Sequence, residues 1–321
     1  MKDKKASDKQ FHDFELENSG FSELKMDGFV LVRPDNTDSF NSLALRFLGD
    51  ENKGWLIAKF NRQEEVLPGK PLVIPLETIY LGGLKEDSYQ TVPVLVYHQF
   101  ADEYSDKMTI RTEAFYKQML WLKENGYKVI RLDQLLDFMD FKIPLPEKSV
   151  VITIDDGWIS VYEIAYPILK EFGFPATLFV YTDFIGGEKA MKWSQIQEMA
   201  QDGFDVQSHT QSHRSLSIIS ENEPFEKYFE FLVRELEGSK KVIEDYLGSD
   251  CRYLAYPFGE TNELVKALVE KIGYRAAFTV NRGSTPFFGN RYTIRRSVIY
   301  GDSDIDEFVK NISCTETITL K

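Results

Sequence analysis

From Val92 onward, short apolar stretches alternate with amphipathic ones, and no other feature of the sequence constrains the fold as strongly. The apolar stretches "VPVLVYH", "YKVIRL", "VVITID", "PATLFVY", "FDVQSH", "RYLAYP" and "YRAAFTV" have the length and β-branched content of buried strands. Between them lie helical patterns such as "EAFYKQMLWLKENG", "ISVYEIAYPILKEFG" and "NELVKALVEKIG", each closed by a glycine as a helix C-terminus commonly is. A longer helix is expected near 223–247, with Phe225, Phe229, Leu232, Val233 and Leu236 on its apolar face and Gly248 closing it. About seven such strand–helix repeats imply an α/β fold with a parallel sheet covered by helices, most simply a barrel. Parallel α/β architectures place their chemistry at the C-terminal ends of strands.

Four of those strand ends carry reactive groups: Tyr97–His98, Asp155–Asp156, His209 with His213, and Tyr256 with Phe258 and Gly259. The i, i+4 spacing in "SHTQSH" predicts both imidazoles on one face of a helical turn, converging on one point. Two histidines and one carboxylate make a catalytic-type metal site that leaves positions open. Adjacent aspartates at the end of a buried strand repel one another and are costly to desolvate. Capping the following helix would use only one of them. A cation offsets the repulsion if one carboxylate binds it, and the other is then free as a base. Gly157 is expected to turn the chain so that both face inward. This division suits amide or ester hydrolysis, with a cation activating water and a separate acid protonating the leaving group. His98 is the remaining histidine inside the repeats, and His12 lies in the N-terminal tail.

Before the repeats, residues 1–27 read as a polar, disordered lead-in, 28–78 as a compact module, and 79–91 as a linker to a domain over 92–315. In the module, "FVLVRP" predicts a strand. "DSFNSLALRFLG" predicts a helix capped by Ser39 or Asp38 and ended by Gly49, "NKGWLIAKFN" a second helix, and "LPGKPLVIPLE" a turn and strand. This βααβ order, with its "PGKPLVIP" tail, resembles the LysM module, many members of which bind N-acetylglucosamine-containing glycans. The usual "GDTL" opening is replaced here by "NTDSF".

The chain has 321 residues, 43% of them hydrophobic, and a formal net charge of −13, which argues against nucleic acid as a partner and leaves neutral sugars open. No run of about 18 apolar residues is present, so no transmembrane segment is expected. Cys251 and Cys314 form no CxxC pair, which excludes a thiolate zinc site, and two free thiols are the favoured reading over a disulfide.

The segments "VPVLVYHQF", "VVITIDDGW", "GFPATLFVY", "KWSQIQEMAQDGFDVQSHTQSH" and "YLAYPFGE" resemble, in order, those of the NodB-homology polysaccharide deacetylases, carbohydrate esterase family 4. The resemblance implies a distorted (β/α)7-type barrel and metal-dependent removal of N-acetyl groups from an N-acetylglucosamine-containing polysaccharide. That activity belongs to the hydrolases of carbon–nitrogen bonds other than peptide bonds. By motif, Asp155 is the general base, and Asp156, His209 and His213 hold a divalent metal, Zn²⁺ with Co²⁺ or Ni²⁺ as alternatives. Phe258 supplies a backbone N–H to the oxyanion, while Tyr256 and Trp158 line the sugar groove.

Two departures stand out. The family's "RPPYG" arginine, which orients the base, is replaced by Ala255, and "RYTIRRSV" offers Arg295, with Arg296 beside it, as a substitute. No late histidine follows residue 213. The "PVLVYH" opening resembles a subgroup acting on exported poly-N-acetylglucosamine, in which an early histidine sits at the site, and this makes His98 the candidate acid. Such substrates imply the cell envelope or extracellular space, and an export or anchor segment that the sequence does not display. The rival readings are an inactive glycan-binding scaffold and an O-acetyl or other amide hydrolase on the same fold.

Overall fold

The computed structural model describes residues 22–317 apart from 27, 77–81, 85–87, 105, 220 and 302. His12 and the lead-in up to residue 21 lie outside the described residues. The chain divides into two compact units, Met1–Ile79 and Tyr80–Lys321.

In the first unit, strands β1 (Glu23–Met26), β2 (Phe29–Val32) and β3 (Leu72–Pro75) form an antiparallel sheet in that order. Helices α1 (Phe40–Leu48) and α2 (Gly54–Asn61) lie between β2 and β3 in sequence. The strand–helix–helix–strand order over 29–75 matches the sequence pattern. Strand β1 is a correction: residues 23–26, assigned to the lead-in, pair with β2 from Glu23↔Val32 to Met26↔Phe29. The polar composition of "ELKM" hides a strand whose side chains are mostly exposed. Ser39 caps α1 by accepting from the Ser42 N–H at 3.0 Å, the Ser42 hydroxyl accepts from the Ser39 N–H, and Gly49 ends the helix at φ 71°. A Cβ on Gly54 would lie 2.8 Å from the backbone of α1, so only glycine permits the approach of the two helices there. Val30, Val32, Leu43, Ala44, Ile57, Leu72 and Ile74 make this unit's own core.

The second unit contains β4 (Ser88–Tyr97), β5 (Gln99–Ala101), β6 (Thr109–Arg111), α3 (Thr112–Glu124), β7 (Lys128–Val129), α4 (Leu132–Met139) and β8 (Ser149–Asp156). It continues through α5 (Tyr166–Phe172), β9 (Thr177–Val180), α6 (Trp193–Gln201), β10 (Asp205–Ser208), α7 (Phe225–Val233), α8 (Ser239–Leu247), β11 (Tyr253–Ala255) and α9 (Glu263–Ile272). It ends with β12 (Ala276–Phe278), β13 (Ser284–Pro286), β14 (Ser297–Val298), α10 (Ile305–Val309) and β15 (Thr315–Thr317). The parallel strands run in the order β12-β11-β10-β9-β8-β4. The segment 294–298 joins the two edges: Ile294 bridges Phe278 beyond one side, and Ser297–Val298 pair with Leu95–Val96 on the other. The sheet therefore curls on itself as a distorted barrel whose seam is only this short.

Strand alternation separates two apolar layers. Leu95, Tyr97, Ile152 and Ile154 point outward under α3, α5, α6 and their neighbours. Val92, Val94, Val151, Phe179, Tyr253, Ala255 and Phe278 point inward and pack against Leu132, Leu135, Leu136, Phe138 and Met139 of α4, which plugs one end of the barrel. Three expectations change. "YKVIRL" is not a full barrel strand: only Lys128–Val129 pair with β8, because Ile130 and Leu132 are drawn into the plug. The linker ends earlier than residue 91, since β4 begins at Ser88 and pairs there with β15. The long helix is broken by a widened π-turn, Arg234–Gly238, and its buried face is Tyr228, Phe231, Leu232 and Leu236, with Phe225 and Phe229 exposed. Both cysteines are free. Among the described residues, no helix is long and apolar enough to cross a membrane.

Candidate active site

The unplugged end of the barrel holds a cavity of about 240 Å³ lined by His98, Asp155, Asp156, His209, His213 and Tyr256, with Lys107, Phe258 and Tyr300 also bordering it. Asp155 shares the inward parity of Val151 and Thr153 on β8. Strand alternation would send Asp156 to the outer layer, but the backbone turns at Asp156 itself (φ 77°) and again at Gly157 (φ 105°). A Cβ on Gly157 would lie 2.6 Å from Ile185, so the second half of the turn requires glycine. Aspartate tolerates the left-handed region better than most side chains do, which makes the sequence "DDG" the chemistry of this turn.

Asp155 is buried, at 1% exposure. Arg296, also fully buried, donates to both its oxygens, Nη1 to Oδ1 at 2.8 Å and Nη2 to Oδ2 at 2.7 Å. Arg296 is held in turn by the Thr279 carbonyl at 3.0 Å, the Thr153 hydroxyl at 3.2 Å and the face of Phe179. Burial is the largest influence on the Asp155 carboxyl and pushes its pKa up; Arg296, then His209 and His98, override it and bring it down to about 2. Arg295, the first-named substitute for the missing family arginine, is a correction. It lies exposed on the outer surface, because Ile294 and Arg296 share the inward parity and Arg295 takes the opposite one.

His209 follows β10 directly, and its Nδ1 lies 2.8 Å from the Ala255 carbonyl. That contact assigns the ring proton to Nδ1 and leaves the Nε2 lone pair facing the cavity. His213 reaches the same point by a different route. Residues 209–213 are not a helical turn, as the spacing predicts, but a loop with left-handed backbone at Thr210 (φ 69°) and His213 (φ 61°). The Thr210 N–H donates to the Ser208 hydroxyl, and the His213 N–H to the Thr210 hydroxyl, in place of helical bonds. Burial, and then His209, press the His213 imidazole down to about 4 against the opposing pull of Asp156.

Three donor atoms meet here: His213 Nε2 lies 3.2 Å from His209 Nε2 and 3.4 Å from Asp156 Oδ1, and His209 Nε2 lies 3.6 Å from the same oxygen. Asp156 Oδ1 is buried and finds no hydrogen-bond partner among the described residues. Its sister oxygen accepts from the Trp158 indole N–H at 2.9 Å. Donors about 2.0–2.1 Å from a tetrahedral centre stand roughly 3.3 Å apart, so the three are already spaced as ligands of a divalent ion. Asp155 Oδ2 lies 3.7 Å from His209 Nε2, beside this group.

His98, at the end of β4, lines the cavity with Nδ1 buried and unpartnered among the described residues. Burial lowers its pKa, and Asp155 and Asp156 partly counter that. The Phe258 backbone is left-handed (φ 59°), with the ring 4.9 Å from the His213 ring and mostly exposed. Of the two aromatic residues expected at the groove, one borders the cavity. The ring of Tyr256 borders the cavity, but its hydroxyl donates away from it to the Tyr292 carbonyl at 3.1 Å. Trp158 is not among the cavity's lining residues; it packs on Phe184 and orients Asp156.

The family model described as polysaccharide deacetylase matches residues 142–277. The poly-beta-1,6-N-acetyl-D-glucosamine N-deacetylase of Staphylococcus aureus (strain MRSA252) is 27% identical over 201 residues, 61% of this chain and 69% of that protein. The enzyme of the same name from Escherichia coli (strain K12) is 27% identical over 254 residues, 67% of this chain but only 38% of its own length. Among solved structures, a de-N-acetylase from Aggregatibacter actinomycetemcomitans superposes with a TM-score of 0.62 at 25% identity, covering 71% of this chain and all of that one. The fold, the motifs and these matches define a NodB-type deacetylase barrel. Residues 142–277 carry a polysaccharide deacetylase domain.

Proposed function

We propose that this protein removes N-acetyl groups from a poly-N-acetylglucosamine-type polysaccharide with the help of a divalent metal held by Asp156, His209 and His213. The observation that carries the reading is the unpartnered Asp156 Oδ1, facing two imidazole nitrogens beside a carboxylate fixed by a buried arginine. Zinc suits two imidazoles and one carboxylate, with cobalt or nickel as alternatives. Bound there, such an ion would polarise the acetamide carbonyl and acidify water.

The chain's own groups supply the proton transfers. Arg296 keeps Asp155 ionised and its plane fixed, leaving a second lone pair on each oxygen for the proton of the attacking water. His98, across the cavity, supplies a proton to the leaving amine. The Phe258 N–H is the proposed oxyanion donor. The relatives' names favour a β-1,6-linked glycan, and the βααβ unit is proposed as a LysM-like module that binds the same class of polymer. Such a polymer places the protein at the cell envelope or outside the cell. Arg296 speaks against a degenerate scaffold, since it donates to both oxygens of Asp155, the role that the resemblance gives the missing arginine.

The deciding experiment measures acetate released from β-1,6- and β-1,4-linked N-acetylglucosamine oligomers and from O-acetylated glycans, after chelation and after zinc addition. Release from the β-1,6 oligomer that chelation abolishes and zinc restores is expected. Failure of the zinc-loaded protein to release acetate from any glycan would overturn the enzyme reading, and release from O-acetyl esters alone would move it to the ester hydrolase.

A further inference from the structure

Of the two histidines that meet Asp156, one is anchored by the sheet and the other by something else. His209 follows β10 and is fixed through Ala255. His213 sits four residues out along a loop with two left-handed non-glycine residues, a shape the chain does not hold unaided. Beneath that loop lies Glu235, a carboxylate only 2% exposed, in the π-turn between α7 and α8. Its Oε2 accepts from the backbone N–H groups of Gln211 at 3.1 Å and Ser212 at 2.8 Å, and its Oε1 accepts from the Ser212 hydroxyl at 2.8 Å. Widened turns of this kind recur at functional sites, because the extra residue re-aims a side chain. Here the side chain re-aimed is the one that grips the loop. Ser239, four residues on, donates to the Glu235 carbonyl and meets Ser208 at 2.8 Å, tying the turn back to β10.

We infer that Glu235 is a positioning residue for the metal centre: it holds the 210–213 loop so that His213 Nε2 converges with His209 and Asp156. The inference rests on the proposed metal-site role of those three residues. It concerns affinity for the ion and not the chemical step. A glutamine can reproduce the arrangement, its carbonyl oxygen taking the two N–H groups and its amide donating to the Ser212 hydroxyl. An aspartate keeps the charge but falls one methylene short of the loop.

The test is zinc affinity, measured by competition with a chromophoric chelator on the full chain, together with the visible spectrum of the cobalt-substituted protein. Glu235→Asp and Glu235→Ala are expected to weaken binding about tenfold to a hundredfold, the range of outer partners of metal ligands, and Glu235→Gln to stay within about threefold. Because Glu235 acts through one ligand, adding Glu235→Asp to His213→Ala should cost little more than His213→Ala alone. A merely structural role predicts additive losses and no rescue by glutamine. Wild-type affinity in a folded Glu235→Asp protein, or full additivity with His213→Ala, would overturn the assignment. A wild-type chain that binds no zinc would overturn the metal site itself. One that binds zinc but releases no acetate would sink the deacetylase reading while leaving Glu235 in its role.

Discussion

The two ends of the barrel both carry clusters of charge, but they balance it differently. At the plugged end, Asp133, Asp137 and Asp140 of α4 and its C-terminus face Arg252, Arg275, Arg291 and Lys142. Three carboxylates meet four cations, and Tyr253 adds a hydrogen bond to Asp133. Burial pushes the Asp133 and Asp140 carboxyls up, but the hydrogen bonds and cations outweigh it and leave both below the usual range. At the open end, Arg296 pairs with Asp155 alone, while Asp156 faces two histidines and the Trp158 indole. One oxygen, Asp156 Oδ1, is buried and accepts no hydrogen bond among the described residues. A closed network stabilises, whereas an open one is arranged for something that is not part of the chain.

The largest expected effect breaks the open end at its chemistry. Asp155→Asn removes the proposed base and should lower turnover by about 10²–10⁴-fold while zinc affinity stays near wild type. His209→Ala, one ligand away, should instead lose the metal. Equal zinc loss in both variants would merge the two proposed roles, base and ligand. Next in size is Arg296→Met, which strands the Asp155 carboxylate in the barrel interior. Breaking a buried pair on one side costs about 3–5 kcal/mol, so the urea midpoint should fall sharply, and adding Asp155→Asn should restore part of it. An unchanged midpoint would mean that Arg296 is not the partner on which Asp155 depends.

Much of this contrast was legible in the sequence, but not all of it. "VVITIDDGW" and "SHTQSH" marked four of the cavity's side chains, because polar groups at the ends of apolar strands keep a local signature. Arg296 was named only as a companion to Arg295. Two-residue parity from Ile294 decides between them, but only once residue 294 is known to face inward, and that depends on the seam, where Ile294 bridges Phe278. The plug was invisible for a related reason: Ile130 and Leu132 suit a strand as well as the core of a helix entering the barrel. Glu235 gave no signal, since a glutamate in "RELEG" looks like a solvated helix face until the π-turn buries it. The conformation of the HxxxH segment was misread because spacing fixes how far apart two residues are, not the backbone path between them.

Acid should separate the ends more gently. The Asp155 carboxyl lies at about 2 in the folded protein against 3.8 for the free side chain. A depressed carboxyl contributes stability above its unfolded value and loses it as pH falls through the folded one. The metal-free protein should therefore lose about 2 kcal/mol from this group between pH 4 and pH 2. Asp133 and Asp140 act in the same direction, so Asp155→Asn should flatten only part of the fall in urea midpoint across that range. A slope unchanged by the substitution would place the acid sensitivity at the plugged end.

The smallest expected effect tests the closed network from its own side. Arg291 is partly exposed and lies 2.6 Å from Asp140, whose other oxygen meets Lys142 at 3.2 Å and Arg275 at 3.6 Å. Removing one of three cations around a carboxylate that keeps the other two costs little, and solvent screens the rest. Arg291→Ala should therefore shift stability by less than about 1 kcal/mol and leave both kcat and zinc affinity unchanged. The inward apolar layer, from Leu135 through Val151 to Phe179, lies between the two clusters and has one packed arrangement to transmit. A tenfold fall in kcat at unchanged stability would show that the ends are coupled through that layer, and the plug would then belong to the active site rather than only closing the barrel.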